Sequence, residues 1–276
     1  MSAASDKRDQ IRQRAIGNRA TRVLLVEGDD DKRAFDALLP RWCPQVAGMW
    51  TVEPAGKKGM VLELLKLEPT WLGLVDRDEW DQAEQQRRCT ELPNLLVLPR
   101  FCLENYLIVP AELWAVLPTA QQAKVPGGWA AFEMGLLAEL PRYLRHGVLW
   151  HIITPLWSGL RARGFKEKLA SDSLACVQSV QSDADIQQVL NAWSSYLHPE
   201  NLFREFQEKL AGAQAQSADQ QLRDWVHGKT FWREAVLPLL KPWFGQRADS
   251  EWRKSIYSQI LPPSDLQPLL ARLQTP

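Results

Sequence analysis

The sequence has few cysteines, no net charge and no long apolar run. Its four cysteines are scattered without a Cys-x-x-Cys pair, which argues against a disulfide framework and a zinc site. No stretch approaches about 18 uninterrupted apolar residues, and no apolar run of signal-peptide length follows the polar start. The 33 basic and 33 acidic residues cancel, which excludes a nucleic-acid binder of the strongly basic kind. We therefore expect a cytoplasmic protein with reduced cysteines, in which any excess of one charge is confined to a part of the surface.

Motifs of several common enzyme classes are also missing. Neither a Gly-x-Ser-x-Gly motif nor a Cys/His pairing predicts a nucleophile. Gly228-Lys229-Thr230 resembles the tail of a P-loop, but Arg223 stands where the first Gly is needed, which excludes ATP binding there. The segment that begins at Asp76 is not an EF-hand, because Asp81 and Arg87 replace the required Gly and Glu.

Residues 21–110 alternate between short apolar segments and helical patterns. Strands are predicted at 22–26, 49–53, 71–75 and 95–98. Helices are predicted over 31–39, ending before Pro40, and over 60–67. Short apolar strands that alternate with helices favour an α/β domain with a parallel-rich sheet covered on both faces.

The remaining sequence has the pattern of amphipathic helices. They are predicted at 128–139, 148–163, 183–197, 200–213, 219–226, 231–244, 251–261 and 264–273. The expected organisation is a basic N-terminal arm or helix (1–20), the α/β domain (21–110) and a mainly α-helical C-terminal part (111–276).

Acidic residues stand where the predicted strands end. Glu27 follows the first strand, and Asp76 and Asp78 follow the third. The carboxyl ends of parallel strands line one crevice, and extended backbone through Arg77 would turn both aspartates to the same side. Carboxylates that face each other need a cation, and Mg²⁺ suits both carboxylates and phosphate oxygens. Two alternatives stay open, because acids next to Asp31 also favour a helix start and residues 76–81 also fit a solvated loop.

Taken in order, these motifs resemble the Toprim domain of topoisomerases, primases and related nucleases. The match comprises Val26-Glu27-Gly28 with Asp31 close behind, then Gly56-Lys57-Lys58-Gly59 ahead of a helix, then Val75-Asp76-Arg77-Asp78. The ordered set is much more specific than any one of its pieces.

Two later segments narrow the resemblance. Residues 98–107, Leu-Pro-Arg-Phe-Cys-Leu-Glu-Asn-Tyr-Leu, resemble the Arg…Glu-Asn-Tyr-Leu signature of a family of Toprim proteins of unknown function. That family includes the effector subunit of PARIS phage-defence systems, whose partner is an ABC-type ATPase. His227-Gly228-Lys229 is similar to a Gly-Lys motif found late in that family and in OLD-type nucleases, where a Lys completes the active site from outside the sheet.

The resemblance implies a role for each matching residue. The implied ligands of Mg²⁺ (or Mn²⁺) are Asp76, Asp78, Glu27, Asp31 and Glu104. Glu27 would also act as general acid or base, Lys57 and Lys229 would be catalytic cations, and Lys58 would contact nucleic acid. Four of these residues also have a purely structural alternative. Glu104 would be an acid at the start of a helix, Lys57 and Lys58 would lie in a solvated loop, and Lys229 would be a basic residue at a helix end.

A basic and aromatic segment lies in the helical part. Residues 142–168 hold six basic side chains against one acidic, and basic groups neutralise phosphates while aromatic rings stack on unpaired bases. The expected nucleic-acid contacts are Arg142, Arg145, Arg161, Arg163, Lys166 and Lys168. Core packing is the alternative for Trp150 and Trp157, because residues seven apart share a helix face.

The resemblance implies a Mg²⁺-dependent endonuclease that acts as the toxic effector of an anti-phage defence system. It would cleave RNA, such as tRNA, as a homodimer after release from an ABC-type ATPase partner. One alternative is an OLD-type DNA nuclease or a DNA-repair nuclease. The other is a non-catalytic partner module in which the acidic crevice is a remnant.

Overall fold

Four parallel strands form the centre of the α/β part. The computed structural model describes residues 2–16, 22–162 and 182–274. The strands are β1 (Arg22–Val26), β2 (Trp50–Pro54), β3 (Leu72–Val75) and β4 (Leu95–Val97). Their order in the sheet is β2-β1-β3-β4, and every neighbouring pair is parallel. The predicted strand positions are confirmed to within one residue, and all four strands end at the same edge.

Strand β1 is buried on both faces, which explains its uninterrupted apolar sequence. Val23 and Leu25 belong to one hydrophobic cluster, whereas Leu24 and Val26 belong to another. This alternation follows from the two-residue period of a strand. The flanking helices are α1 (Ala3–Ile11), α2 (Asp29–Trp42), α3 (Lys58–Leu67) and α4 (Gln82–Glu91).

Two of these helices differ from the sequence prediction. Helix α2 does not end before Pro40 but continues to Trp42, which is buried and donates a hydrogen bond from its indole to the Ile260 carbonyl at 3.1 Å. Tertiary packing of the last turn therefore outweighs the proline. Helix α4 was not predicted, because it buries no residue and has no apolar face to reveal it. It is supported by its Asp81 cap and by ion pairs such as Arg87 with Glu84.

The rest of the described chain is helical. The α-helices are α5 (Pro110–Val116), α6 (Thr119–Gln122), α7 (Gly128–Leu137), α8 (Leu140–Ala162), α9 (Asp183–Tyr196), α10 (Pro199–Gln214), α11 (Ala218–Asp224), α12 (Gly228–Phe231), α13 (Leu237–Phe244), α14 (Asp249–Tyr257) and α15 (Gln267–Gln274). Helices α5 and α6 were not predicted, and α8 begins eight residues earlier than expected. Within the described ranges, no helix has both the length and the apolar character of a membrane span.

The helical part shares its core with the sheet. One hydrophobic cluster runs from Leu24 of β1 through Phe35 of α2 to Trp232, Trp252 and Leu273. The connection is also polar, because the indole of Trp50 donates to the Leu273 carbonyl at 3.1 Å. The C-terminal helices are therefore fixed relative to the strands, and side chains on them have defined positions at the sheet edge.

Buried Asn105 joins the turn after β4 to the segment before α12. Its Nδ2 donates to the carbonyls of Leu222 at 2.6 Å and Val226 at 2.9 Å, and its Oδ1 accepts from the Cys102 amide at 3.0 Å. Gly228 approaches Asn105 so closely that a Cβ there would overlap the Asn105 side chain. This contact requires glycine and sets the position of the residue that follows it.

Arg100 explains another part of the same motif. Its guanidinium is 2% exposed and bonds the Asn105 carbonyl at 3.0 Å, Glu112 at 2.5 and 2.8 Å, and Asp265 at 2.8 Å. It also lies 3.9 Å from the centroid of the Tyr106 ring. A buried charge needs such partners, so Arg100 and Asn105 hold the turn in which Glu104 lies.

We expect Gly228→Ala to lower the free energy of unfolding by about 2 kcal/mol, because the new methyl group must displace Asn105. Gly212→Ala is the matched control, since nothing lies within 4 Å of its added Cβ. That substitution should be neutral or stabilising by up to about 1 kcal/mol, as expected for Gly→Ala within a helix. Urea unfolding followed by circular dichroism measures both, and equal effects would contradict the tight contact.

Candidate functional site

The acidic residues predicted at the strand ends lie together. The Glu27 carboxylate accepts a hydrogen bond from the Asp76 amide at 2.9 Å, and Asp31 accepts one from the Gly28 amide at 2.9 Å. Asp31, in the first turn of α2, thereby faces back towards the end of β1. Both carboxylates line an open cleft of about 770 Å³, together with Glu104 and other residues.

Asp76 lies beneath this cleft and is anchored through both oxygens. It is 4% exposed and lines a small void together with Glu27 and Asp31. Its Oδ1 accepts from the Leu103 amide at 3.0 Å, and its Oδ2 accepts from Lys229 Nζ at 2.9 Å. The lysine predicted to reach the site from outside the sheet therefore contacts the acid that ends β3.

Asp78 departs from the expected geometry. The prediction that it points to the same side as Asp76 assumed extended backbone, but Asp78 has φ 51°, in the left-handed region. Its amide donates to the Phe101 carbonyl at 2.7 Å, and its carboxylate pairs with Lys58 Nζ at 2.5 Å. Asp78 does not line the cleft that Glu27 and Asp31 share.

Burial and mutual repulsion disfavour the charged form of these carboxyl groups. Burial, with the charge of Asp76, raises the pKa of Glu27 from 4.5 to about 7 and that of Asp31 from 3.8 to about 7. Burial also raises the pKa of Asp76 and that of Glu104. Glu27 and Asp31 are therefore only partly ionised near neutral pH unless further positive charge arrives.

Lys229 supplies part of that positive charge. Burial alone would lower its pKa, but the carboxylates of Asp76 and Glu104 outweigh burial and raise it. The ammonium group therefore stays protonated. A metal ion on the same Asp76 oxygen would lie next to this ammonium, and the two positive charges would repel each other.

Arg253 is a site residue that sequence reasoning missed. Glu104 is 4% exposed, and its Oε1 accepts from Arg253 Nη1 at 3.3 Å. The same guanidinium donates to Asp30 at 3.0 Å and to Asp249 at 2.9 Å. The spacing of Asp249 and Arg253 on α14 is the one sequence signal, and it indicates only a helical ion pair.

The site has the chemistry for Mg²⁺ but not a ready-made coordination shell. Within the described residues, no three His, Cys, Asp or Glu side chains already form a metal-binding group. Buried Glu104 Oε2, however, has no hydrogen-bond partner in the described part of the chain. The unpartnered oxygen and the raised pKa values of Glu27 and Asp31 both indicate that the site lacks positive charge. A hard cation bound by the carboxylates would supply that charge. The residues that fit this role are Glu27, Asp31, Asp76 and Glu104, whereas Asp78 would have to leave Lys58.

The predicted lysines after β2 are placed differently from each other. Lys57 is exposed, immediately precedes α3 and lines the cleft. Lys58, expected to contact nucleic acid, instead pairs with Asp78, and its Nζ lies 4.4 Å from the centroid of the Trp80 ring. Of these two lysines, Lys57 is therefore the one open to a ligand in the cleft.

The predicted basic face is described only in part. Arg142, Arg145 and Arg161 are exposed on α8, while the predicted contacts Arg163, Lys166 and Lys168 lie outside the described residues. Trp150 and Trp157 are 41% and 40% exposed, so their interpretation as core residues is wrong.

No protein-family model matches this chain, and no curated protein matches it. The resemblance to Toprim nucleases therefore depends on the motifs and their order.

The raised carboxyl pKa values predict a pH-dependent stability for the metal-free protein. Below about pH 4 the folded and unfolded chains both hold these protons, whereas at higher pH only the unfolded chain releases them readily. The free energy of unfolding in EDTA should therefore fall as the pH rises from about 5 to about 8, by on the order of 2 kcal/mol for Glu27.

Glu27→Gln should flatten this fall, because the amide mimics the protonated acid at every pH. Exposed Glu63, on α3, provides the control, and Glu63→Gln should keep the wild-type slope. Urea titrations at several pH values measure the slopes. Identical slopes in all three proteins would show that Glu27 does not hold the proton.

Arg253→Ala should lower the free energy of unfolding by about 3 kcal/mol, because it removes the arginine from buried Glu104. Arg33 is a matched control, since it also bonds Asp30, at 3.0 Å, but is 70% exposed on its side chain. Arg33→Ala should cost less than about 0.5 kcal/mol. Thermal and urea unfolding compare the two variants. A similar small loss of stability in both would contradict the idea that Arg253 stabilises buried Glu104.

Proposed function

We propose that this chain is a Mg²⁺-dependent endonuclease of the Toprim type. The observation that carries the proposal is the convergence of Glu27, Asp31, Asp76 and Lys229 at one edge of a parallel sheet. These residues come from separate parts of the chain and coincide with the motif positions of the resemblance. Clustered carboxyl groups with raised pKa values are typical of catalytic sites.

Each residue has a role that its chemistry supports. Asp76, Asp31 and Glu104 would hold the cation, which when bound supplies charge neutralisation for the scissile phosphate. Glu27, whose pKa burial raises in the metal-free protein, would take a proton from the attacking water. Lys229 would donate from Nζ to a phosphate oxygen, and Lys57 at the cleft wall would neutralise the next phosphate. The water oxygen then bonds to phosphorus as the bond from phosphorus to the leaving oxygen breaks, and the leaving oxygen takes a proton from solvent.

We propose RNA, and tRNA in particular, as the substrate. The exposed arginines and tryptophans of α8 support an RNA ligand. The role as toxic effector in phage defence, the ABC-type ATPase partner and the active homodimer depend on the resemblance alone. A non-catalytic module is the second candidate, because Lys229 and Lys58 already neutralise Asp76 and Asp78.

The central experiment incubates purified protein and Mg²⁺ with tRNA or with plasmid DNA. We expect tRNA cleavage that EDTA stops and that Glu27→Gln and Asp76→Asn each reduce by at least about 1,000-fold, because both substitutions remove a charged group at the cleavage site. Asp36→Asn, at an exposed position on α2, should keep activity within about twofold. Circular dichroism verifies that each variant folds.

The other outcomes each have a meaning. Cleavage of plasmid alone would replace RNA by DNA as the substrate. Wild-type activity in folded Asp76→Asn would refute the mechanism. Absence of both cleavage and calorimetric Mg²⁺ binding would favour the non-catalytic module.

A further inference from the structure

Helix α8 presents an exposed face that the proposed catalytic groups do not use. The helix contains no Asp or Glu. Six of its exposed positions fall within about 100° of arc at helical periodicity. These positions, called the α8 face below, are Arg142, His146, Leu149, Trp150, Ile153 and Trp157. Adjacent exposed apolar side chains of this kind mark interaction sites.

The α8 face adjoins the candidate active site. The ring of Trp150 packs edge-on to His227, with centroids 5.1 Å apart, and His227 caps the helix that bears Lys229. The His227 ring also contacts Phe101, with centroids 5.4 Å apart, and the Phe101 carbonyl accepts a hydrogen bond from the Asp78 amide. Trp150 does not line the cleft itself, so a strand in the cleft would have to extend past Lys229 and His227 to reach it.

The close packing of α8 fixes this relation. Gly147 lies so close to the Trp225 carbonyl that any side chain there would overlap it. His151, one turn further along, packs between Phe101 and Trp225, with centroids 5.3 and 4.9 Å apart. The position of the α8 face relative to Lys229 is thus set by contacts of backbone and rings.

The chemistry of the face suits a single-stranded polyanion. The three arginines of the helix outnumber Glu139, the acid that directly precedes it and pairs with Arg142 at 2.6 Å. The remaining positive charge complements a phosphate backbone. The exposed indole of Trp150 complements the flat surface of a base, which a duplex hides within its stack. A protein partner could pack on the apolar side chains of this face. Such a partner would not explain why α8 contains no Asp or Glu.

We propose that the α8 face binds an unpaired nucleic-acid strand next to the scissile phosphate, with Trp150 stacked on a base and Arg142 exchanging Glu139 for a phosphate. This inference rests on the proposed function, because it takes the cleaved molecule to be nucleic acid. It adds that the strand is unpaired where it is cut, and it names the side chain that distinguishes unpaired from paired substrate.

The test measures binding without cleavage. Full-length protein carrying Glu27→Gln is titrated in EDTA with a fluorescein-labelled short RNA, with the same sequence as single-stranded DNA, and with the RNA duplex. Adding Trp150→Ala should weaken single-strand binding about tenfold or more, because one stacked base is lost, and should change duplex binding less than about twofold. Trp150→Phe should restore most of the affinity, since it keeps a ring.

Phe203→Ala is the matched control, because it removes a 59% exposed aromatic ring from another helix. The affinity of this variant for the single strand should stay within about twofold of that of the protein carrying Glu27→Gln alone. Similar losses on single-stranded RNA and DNA would support recognition of an unpaired strand regardless of the sugar.

Three results would overturn the inference. The first is unchanged single-strand affinity in Trp150→Ala, and the second is an equal loss on single strand and duplex. The third is unchanged RNA binding together with loss of a dimer in light scattering, which would assign the face to a second copy of the chain. Wild-type protein that neither binds nor cleaves any nucleic acid would instead remove the proposed function itself.

Discussion

The carboxylate of Asp76 is buried where water cannot neutralise it, and much of the fold near the sheet edge compensates for that burial. An isolated buried charge is costly unless it is paired and hydrogen-bonded. The Leu103 amide bonds one oxygen and Lys229 the other. Both donors are held by Asn105, which fixes the turn after β4 and the segment before α12. Fully buried Asn105 therefore supports Asp76 indirectly, through these two donors.

The cations of the site come from helices far along the chain. Lys229 lies on α12 and Arg253 on α14, and the hydrophobic core that positions both helices continues into the sheet. The α/β part alone would gather Glu27, Asp31, Asp76 and Glu104 without these two cations. Repulsion among those acids would then be relieved mainly by protonation. The helical part is consequently a structural requirement of the site.

The sequence predicts best the features that depend on periodicity and on parallel topology. The four strands were found because they are buried and bounded by turn residues, and Glu27 and Asp76 converge because parallel strands end at one edge. Helix α4 was missed because it has no apolar face. Arg253 meets Glu104 across 149 positions, a contact that only tertiary packing decides. The left-handed backbone of Asp78 and the exposure of Trp150 likewise depend on the folded surroundings.

Lys229 also has a consequence for how ligands would bind in the proposed enzyme. A cation bound at Asp76 would repel the Lys229 ammonium, so binding of the cation alone would push the lysine away from its ion-pair partner within a buried site. A phosphate in the cleft would give the displaced ammonium a new partner of opposite charge. Each ligand would then lower the cost of binding the other, and such a coupling is reciprocal. An acid-rich site that holds its own lysine is thus suited to bind metal together with a phosphodiester rather than metal alone.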